Sequence, residues 1–214
     1  MDTLRLPRVS LTMFDGEGDP RAVRAVNVAT TGIDDGEVVY LSPVRPVGLE
    51  ASFRFVQIPR FDYASAMRFQ ARTMGEFCTT DFQLSIEWDG FPHRPDLWED
   101  GFLDWDYIGA PWPPGIVKGA TASSVGNGGC VLRSRRFIDA LRAAPDHVDE
   151  SGDVYWCQNP GVLRTLEPFG CRFAPIDVAM RFAFESPLPE IPHWGPRQSF
   201  GFHGRYWIGL NYGA

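Results

Sequence analysis

Two carboxylates stand two residues apart in Ile86-Glu87-Trp88-Asp89-Gly90. On extended chain that spacing turns both to the same side. Hard oxygen ligands so placed suit Mg or Mn, ions that take carboxylates together with substrate phosphates. The same residues also read as a solvated acidic turn, because Asp-Gly is a common turn pair. Further along, Gly126-Asn127-Gly128-Gly129 precedes a β-rich segment. Glycines there let backbone N–H groups approach a ligand, although the run has neither the Lys-Ser/Thr of a phosphate-binding loop nor the spacing of a dinucleotide fingerprint. A plain hairpin loop is the alternative. Asp149, Glu150 and Asp153 cluster ahead of Val154-Tyr155-Trp156, and a carboxylate in that place either caps a helix or serves as a general base. His203, inside Phe200-Gly201-Phe202-His203-Gly204, reads as a hydrogen-bonded core histidine unless the fold carries it to Glu87 and Asp89. Trp112, in a Pro-rich turn, is either core or a stacking platform for a sugar or base.

These residues need a scaffold, and the first half of the chain supplies a regular one. Val9 to Phe14 is β-rich and ends at the turn pair Asp15-Gly16. Asp19-Pro20 starts a helix, with Asp19 as cap and Pro20 at its first position, carrying Ala22, Val23, Val26 and Ala29 at helical spacing. Strands are expected at Glu37–Leu41, Phe53–Ile58 and Phe82–Ile86, with a helix from Asp62 to Phe77 that turns Ala66, Phe69, Ala71 and Met74 inward. Strands alternating with helices predict a mainly parallel α/β sheet, with ligands beyond the carboxyl ends of its strands. Asp15 and the Glu87/Asp89 pair both fall there. The second half is more irregular. It offers a short strand at Cys130–Arg133, a helix capped by Ser134, a helical stretch from Asp153 to Phe169 broken at Asn159-Pro160-Gly161, and a late strand at Phe200–His203.

The chain has 214 residues, of which 14% are aromatic, and a net charge of -7. The acidic balance argues against a nucleic-acid partner, since phosphate backbones are bound by basic surfaces. It still allows a nucleoside diphosphate whose charge a metal or local basic groups neutralise. Cys78, Cys130, Cys157 and Cys171 show no C-x-x-C spacing, and a chain of this size folds without staples. No apolar run reaches the ~18 residues of a membrane span, and the start of the sequence lacks a basic-then-apolar pattern. The expectation is a cytoplasmic protein with no membrane span.

Taken in order, Trp88-Asp89-Gly90-Phe91, Asp106 to Trp112, Gly126 to Gly129, Leu132 to Arg135, Asp153-Val154 and Phe200 to Gly204 resemble a family of bacterial and fungal domains of unknown function classed as GT-A-like glycosyltransferases. That family is remotely similar to galactosyltransferase and Fringe-type enzymes. The resemblance spans nearly the whole chain and implies a single GT-A-like α/β domain over residues 1–214. About 1–110 would form its nucleotide-sugar-binding half and about 111–214 its acceptor and catalytic half. It implies a metal-dependent glycosyltransferase that moves a sugar from a nucleoside diphosphate, UDP first among them, to a glycan or small-molecule hydroxyl. Glu87, Asp89 and His203 would hold Mn or Mg, and Asp153 would be the base of an inverting transfer. Phe14, Asp15, Trp88, Gly128 and Gly129 would face the donor, with Asp15 near base and ribose. Arg68 would approach the diphosphate, with a surface ion pair as its alternative. Trp112 and Asn127 would face the acceptor. The chain has Gly152 where the remoter enzymes carry Glu before the catalytic Asp.

That departure motivates a second reading, a nucleotide-sugar- or sugar-binding protein without transferase activity. A third, a nucleotidyltransferase, expects a basic glycine-rich loop after the first strand. The acidic run from Asp15 to Asp19 argues against it.

Overall fold

A computed structural model describes residues 3–117, 120–145 and 152–212, with side chains as far as 209. His147, Asp149 and Glu150 lie outside the described residues. The chain order is β1 (Leu4–Phe14), α1 (Pro20–Ala29), β2 (Ile33–Ser42), β3 (Arg54–Gln57), α2 (Tyr63–Arg72), β4 (Phe82–Ile86), β5 (Gly90–Pro92), β6 (Tyr107–Gly109), β7 (Pro111–Trp112), β8 (Ser124–Val125), β9 (Cys130–Ser134), α3 (Arg135–Arg142), α4 (Gly152–Gln158), α5 (Pro160–Leu166), α6 (Ile176–Phe182), β10 (Ala183–Phe184), β11 (Gly201–His203) and α7 (Arg205–Tyr212). The central sheet runs β3-β2-β1-β4-β9-β6. Its first four strands are parallel, whereas β9 is antiparallel to both β4 and β6. A small sheet, β10-β11-β5, and the β7-β8 pair complete it.

The mainly parallel α/β sheet expected from the sequence is therefore present, flanked by helices. Strand alternation divides its residues between two faces. Val9, Leu11 and Met13 of β1, Tyr40 of β2 and Leu132 of β9 share a core with Ala22, Ala25, Val26 and Ala29 of α1. On the opposite face, Val39 and Leu41 of β2 pack with Ile58 and Met74, and Val131 of β9 packs with Phe137 and Tyr155. Strand β4 is covered on both sides, all five of its residues buried, with Phe82, Leu84 and Ile86 turned to one face and Gln83 and Ser85 to the other. A polar band crosses the second face. Gln83 donates to Thr12 and accepts from Arg133 at 2.7 Å, and the buried Arg133 guanidinium lies 5.1 Å from the Trp156 ring.

Local chemistry sets the helix boundaries. Asp19 caps α1 by accepting from Arg21 N–H at 2.8 Å, with Pro20 at the first helical position. Ser134 ends β9 and caps α3 through Phe137 N–H at 3.1 Å, an interaction whose loss costs about 1 kcal/mol. Asn159 accepts from Gly161 and Val162 N–H and divides the expected Asp153–Phe169 helix into α4 and α5. The second helix is shorter than expected: α2 ends at Arg72, and a 3₁₀ turn covers Met74–Phe77. All four cysteines are free thiols. Among the described residues no helix is long and apolar enough to cross a membrane.

Candidate active site

Parallel β1 and β4 deliver their carboxyl ends to one edge of the sheet, where the chain leaves β4 at Glu87. It does not continue extended. Glu87 and Gly90 exchange backbone hydrogen bonds of 2.9 and 3.1 Å around Trp88-Asp89, so a two-residue turn, not strand alternation, sets the two carboxylates. From there β5 pairs with β11 in a register that places His203 opposite Gly90. Register matters here because a one-residue slip would send the imidazole to the other face. Gly129 leaves room for the ring: a Cβ at that position would lie 2.0 Å from His203 Cδ2.

Among the described residues, Glu87, Asp89 and His203 form the one group of three with ligand-type atoms mutually within 4.8 Å. The His203 Nε2 atom lies 3.8 Å from Glu87 Oε2 and 3.8 Å from Asp89 Oδ1. These gaps are too long for hydrogen bonds, but ligands about 2.1 Å from a shared ion stand roughly 3 to 4 Å apart. The Nδ1 atom of the same ring bonds Glu185 Oε1 at 3.0 Å. That contact turns Nε2 toward the carboxylates, as an outer carboxylate does for a metal-ligating histidine. The donor set and its orientation therefore fit a divalent ion. Without one, burial works against an imidazolium, but Glu185, Glu87 and Asp89 outweigh it and push His203 up to about 9. Glu87 is held above the ordinary carboxylate range by desolvation and by Asp89, Asp153 and Glu185, with His203 pulling the other way; its side chain nonetheless keeps 46% exposure to the cleft.

Two cavities meet at Glu87. The smaller, about 230 Å³, has Glu87 and His203 on one side and Asp153 and Trp156 on another, over the backbone of Gly128, Gly129 and Gly152. Asp153 enters it from the first turn of α4, where Oδ2 accepts Gly128 N–H at 3.2 Å and Oδ1 accepts Val154 N–H at 2.9 Å. The larger, about 460 Å³, opens between α1 and α2 and includes Phe14, Asp15, Arg21, Trp88 and Arg205. The Arg21 guanidinium sits 3.5 Å over the Trp88 ring and pairs with Asp19, while Arg205 lies 5.2 Å from the same ring and 3.8 Å from Asp89.

Several sequence expectations need correction. Trp112 is 3% exposed, with its indole against Gly126, so it has no face to offer a ligand. Asn127 is 2% exposed, and its Oδ1 accepts Gly129 N–H at 3.0 Å, which shapes the glycine run from within. Arg68 is exposed on α2 and lines neither cavity. Asp15 borders the larger cavity, but its carboxylate is occupied by Tyr40, Ser42 and the N–H groups of Gly18 and Asp19. It therefore shapes the loop after β1, and base and ribose have no open oxygen there. The residues missed are Arg21, Arg205, Tyr63, Met67, Gln70, Trp156 and Glu185. Arg21 had a signal, since it opens the helix just beyond the carboxyl end of β1. Glu185 had none.

The fold is α/β and GT-A-like, a mainly parallel central sheet flanked by helices. A family model described as "Protein of unknown function (DUF5672)" matches residues 57–203, and the chain belongs to that family. Among solved structures, an active-site mutant of LgtC superposes with a TM-score of 0.51 at 15% identity, covering 92% of this chain and 87% of that one. The galactosyltransferase LgtC in complex with donor and acceptor sugar analogs gives 0.47 at 13% identity, with coverage of 92% and 87%. A glycosyltransferase involved in glycosylation of the major capsid of PBCV-1 gives 0.47 at 10% identity, with coverage of 94% and 93%. At such identities the likeness is one of fold. No curated protein matches the sequence.

Proposed function

We propose that the protein is a metal-dependent glycosyltransferase, transferring a sugar from a nucleoside diphosphate to an acceptor hydroxyl with inversion. The observation that carries this reading is the convergence of Glu87, Asp89 and His203, two of which, Glu87 and His203, line the same cavity as Asp153. Glu87, Asp89 and His203 would hold the ion, Mn or Mg. A bound ion would neutralise charge on the leaving diphosphate as a Lewis acid.

The chain's own residues do the rest. The larger cavity receives the nucleotide, a UDP-sugar being the first donor to try, with Phe14 and Trp88 on its walls. Arg21 and Arg205, held beside Trp88, lie where a diphosphate would enter the smaller cavity. Gly128 and Gly129 let the sugar approach the backbone. Asp153 takes the proton from an acceptor hydroxyl as that oxygen attacks the anomeric carbon. The anomeric carbon–oxygen bond to the diphosphate breaks as the new one forms, and attack from the opposite face inverts the centre, by the logic that also holds for glycosidases.

A second reading, binding without transfer, draws on the engagement of Asp153 by Gly128 and Val154 N–H groups and on Gly152 in place of an acidic residue. One experiment separates the two: melting with a panel of nucleotide sugars, with and without Mn, alongside release of nucleoside diphosphate. Ligand at 100 times its Kd adds about 2.7 kcal/mol, an easily seen shift. Transfer predicts Mn-dependent stabilisation and turnover; Asp153→Asn keeps the first and loses the second. Stabilisation without turnover for any acceptor favours the binding protein. If no nucleotide sugar shifts the melt, or Asp89→Asn keeps full metal-dependent activity, the proposal is wrong.

A further inference from the structure

Resting on the reading of the smaller cavity as the donor-sugar site, we infer that Met67 selects the sugar and that the protein uses a hexose without a bulky 2-substituent, rejecting 2-acetamido sugars. The residues concerned stand on α2. Tyr63, Met67 and Gln70 fall at i, i+4 and i+7, one face of the helix, and all three line both cavities. Of the helix's residues only Ala71 is buried, so this face is turned to the cleft and not to the core.

Met67 lies where the two spaces meet, together with Tyr63, Gln70 and Glu87. Its sulfur lies over Gly152, where an added Cβ would stand 2.3 Å from Sδ. The thioether thus fills the room that a side chain at position 152 would need, which gives the exceptional Gly152 a structural partner. Much of the remaining wall of the smaller cavity is held in place: its floor is glycine backbone, Trp156 is 3% exposed and Asp153 is tied to Gly128. The Gln70 amide has no hydrogen-bond partner among the described residues and is free to meet sugar hydroxyls.

At about 230 Å³ the cavity lies below the ~300 Å³ at which pockets for larger organic ligands begin. It suits one monosaccharide ring with little to spare. The C2 substituent is adjacent to the anomeric carbon that bears the diphosphate, so on this reading it enters near the junction of the two cavities, where Met67 is the apolar wall. An acetamido group in place of a hydroxyl adds as many heavy atoms as Met67→Ala removes. Overfilling a fixed pocket is costly, and discrimination by a small apolar wall is worth roughly 10- to 200-fold.

The test measures Kd with Mn by calorimetry for UDP, UDP-galactose, UDP-glucose and their 2-acetamido counterparts, on wild type, Met67→Ala and Met67→Leu. We expect wild type to prefer the plain hexoses at least tenfold. Met67→Ala should bring the ratio to within about threefold by tightening the acetamido donors more than it alters Kd for UDP or the plain hexoses, and Met67→Leu should keep the preference. Should Met67→Ala fail to fold, Met67→Val shortens the same side chain and is expected to shift the ratio in the same direction. If UDP binds but the preference is absent in wild type or unchanged in the shortened variants, Met67 is not the selector. If neither UDP nor any donor binds wild type, the donor-site reading itself falls and the inference with it.

Discussion

The sheet carries acidic clusters at both of its edges, and only one has the geometry of a site. At the carboxyl ends of β1 and β4, Glu87 and Asp89 converge with His203. At the amino end of β2, Asp34, Asp35, Glu37 and Glu50 line a groove of about 490 Å³. There the carboxylates go separate ways. Asp34 pairs with Arg5, and Glu37 accepts from Ser10, Thr79 and Arg54. Burial opposes the Glu37 charge, but those donors outweigh it and hold its pKa below the ordinary value. Both oxygens of Asp35 are enclosed without a hydrogen-bond partner among the described residues, and desolvation, helped by Asp34, raises the carboxyl to about 7. Counting acidic residues would not tell the two clusters apart. Convergent ligand atoms, an oriented imidazole and glycine clearance do.

The largest contrast is expected from neutralising one carboxylate in each cluster. Asp89→Asn should lower Mn-dependent turnover at least about a hundredfold and abolish the Mn-induced melting shift, whereas Glu50→Gln should leave both within twofold. Equal losses would erase the distinction. Next, a Cβ at Gly129 meets the His203 ring, and one at Gly36, beside the groove, would stand 2.5 Å from Pro7 O. Both Ala variants should lose about 1–3 kcal/mol, but only Gly129→Ala should also weaken Mn binding, by more than tenfold in titrations followed by melting. Glu185→Gln, which leaves every ligand in place and alters only the partner of Nδ1, should weaken Mn affinity about tenfold.

The smallest effect is one of pH. A carboxyl with a raised folded-state pKa keeps its proton while the unfolded chain gives it up. Stability is therefore full below pH ~4, the unfolded value, falls as pH rises toward about 7, and stays lower above that. Asp35→Asn should remove this fall. We expect a melting temperature a few degrees higher at pH 8, at roughly 2–4 °C per kcal/mol, and little change at pH 4. A gain of the same size at both pH values would mean that ionisation of Asp35 is not the cause.

The same contrast between orderly and irregular regions governs what the sequence disclosed. The parallel half was legible because its strands are β-rich runs bounded by turn residues and its helices carry side-chain caps at Asp19 and Asp62. Strand β4 was delimited to the residue. The irregular half hid more. β5, β6, β7, β8 and β10 are two or three residues long, too short to show a period. Helix α6 begins after Pro175 with no side-chain cap. Glu87, Asp89, Asp153 and His203 were named from spacing and resemblance, but what gathers them is a turn, a strand register and a glycine cleared for a ring. Trp112 and Asn127 misled because residue type says nothing of burial.

The pairing of β11 with β5 also has a consequence in time. Asp89 leaves the ribosome long before His203, which joins it only once that late strand is in register opposite Gly90. A nascent chain folded as far as β9 has the two carboxylates and no imidazole between them. If the proposed ion binds there, its tight capture reports that β11 has paired with β5.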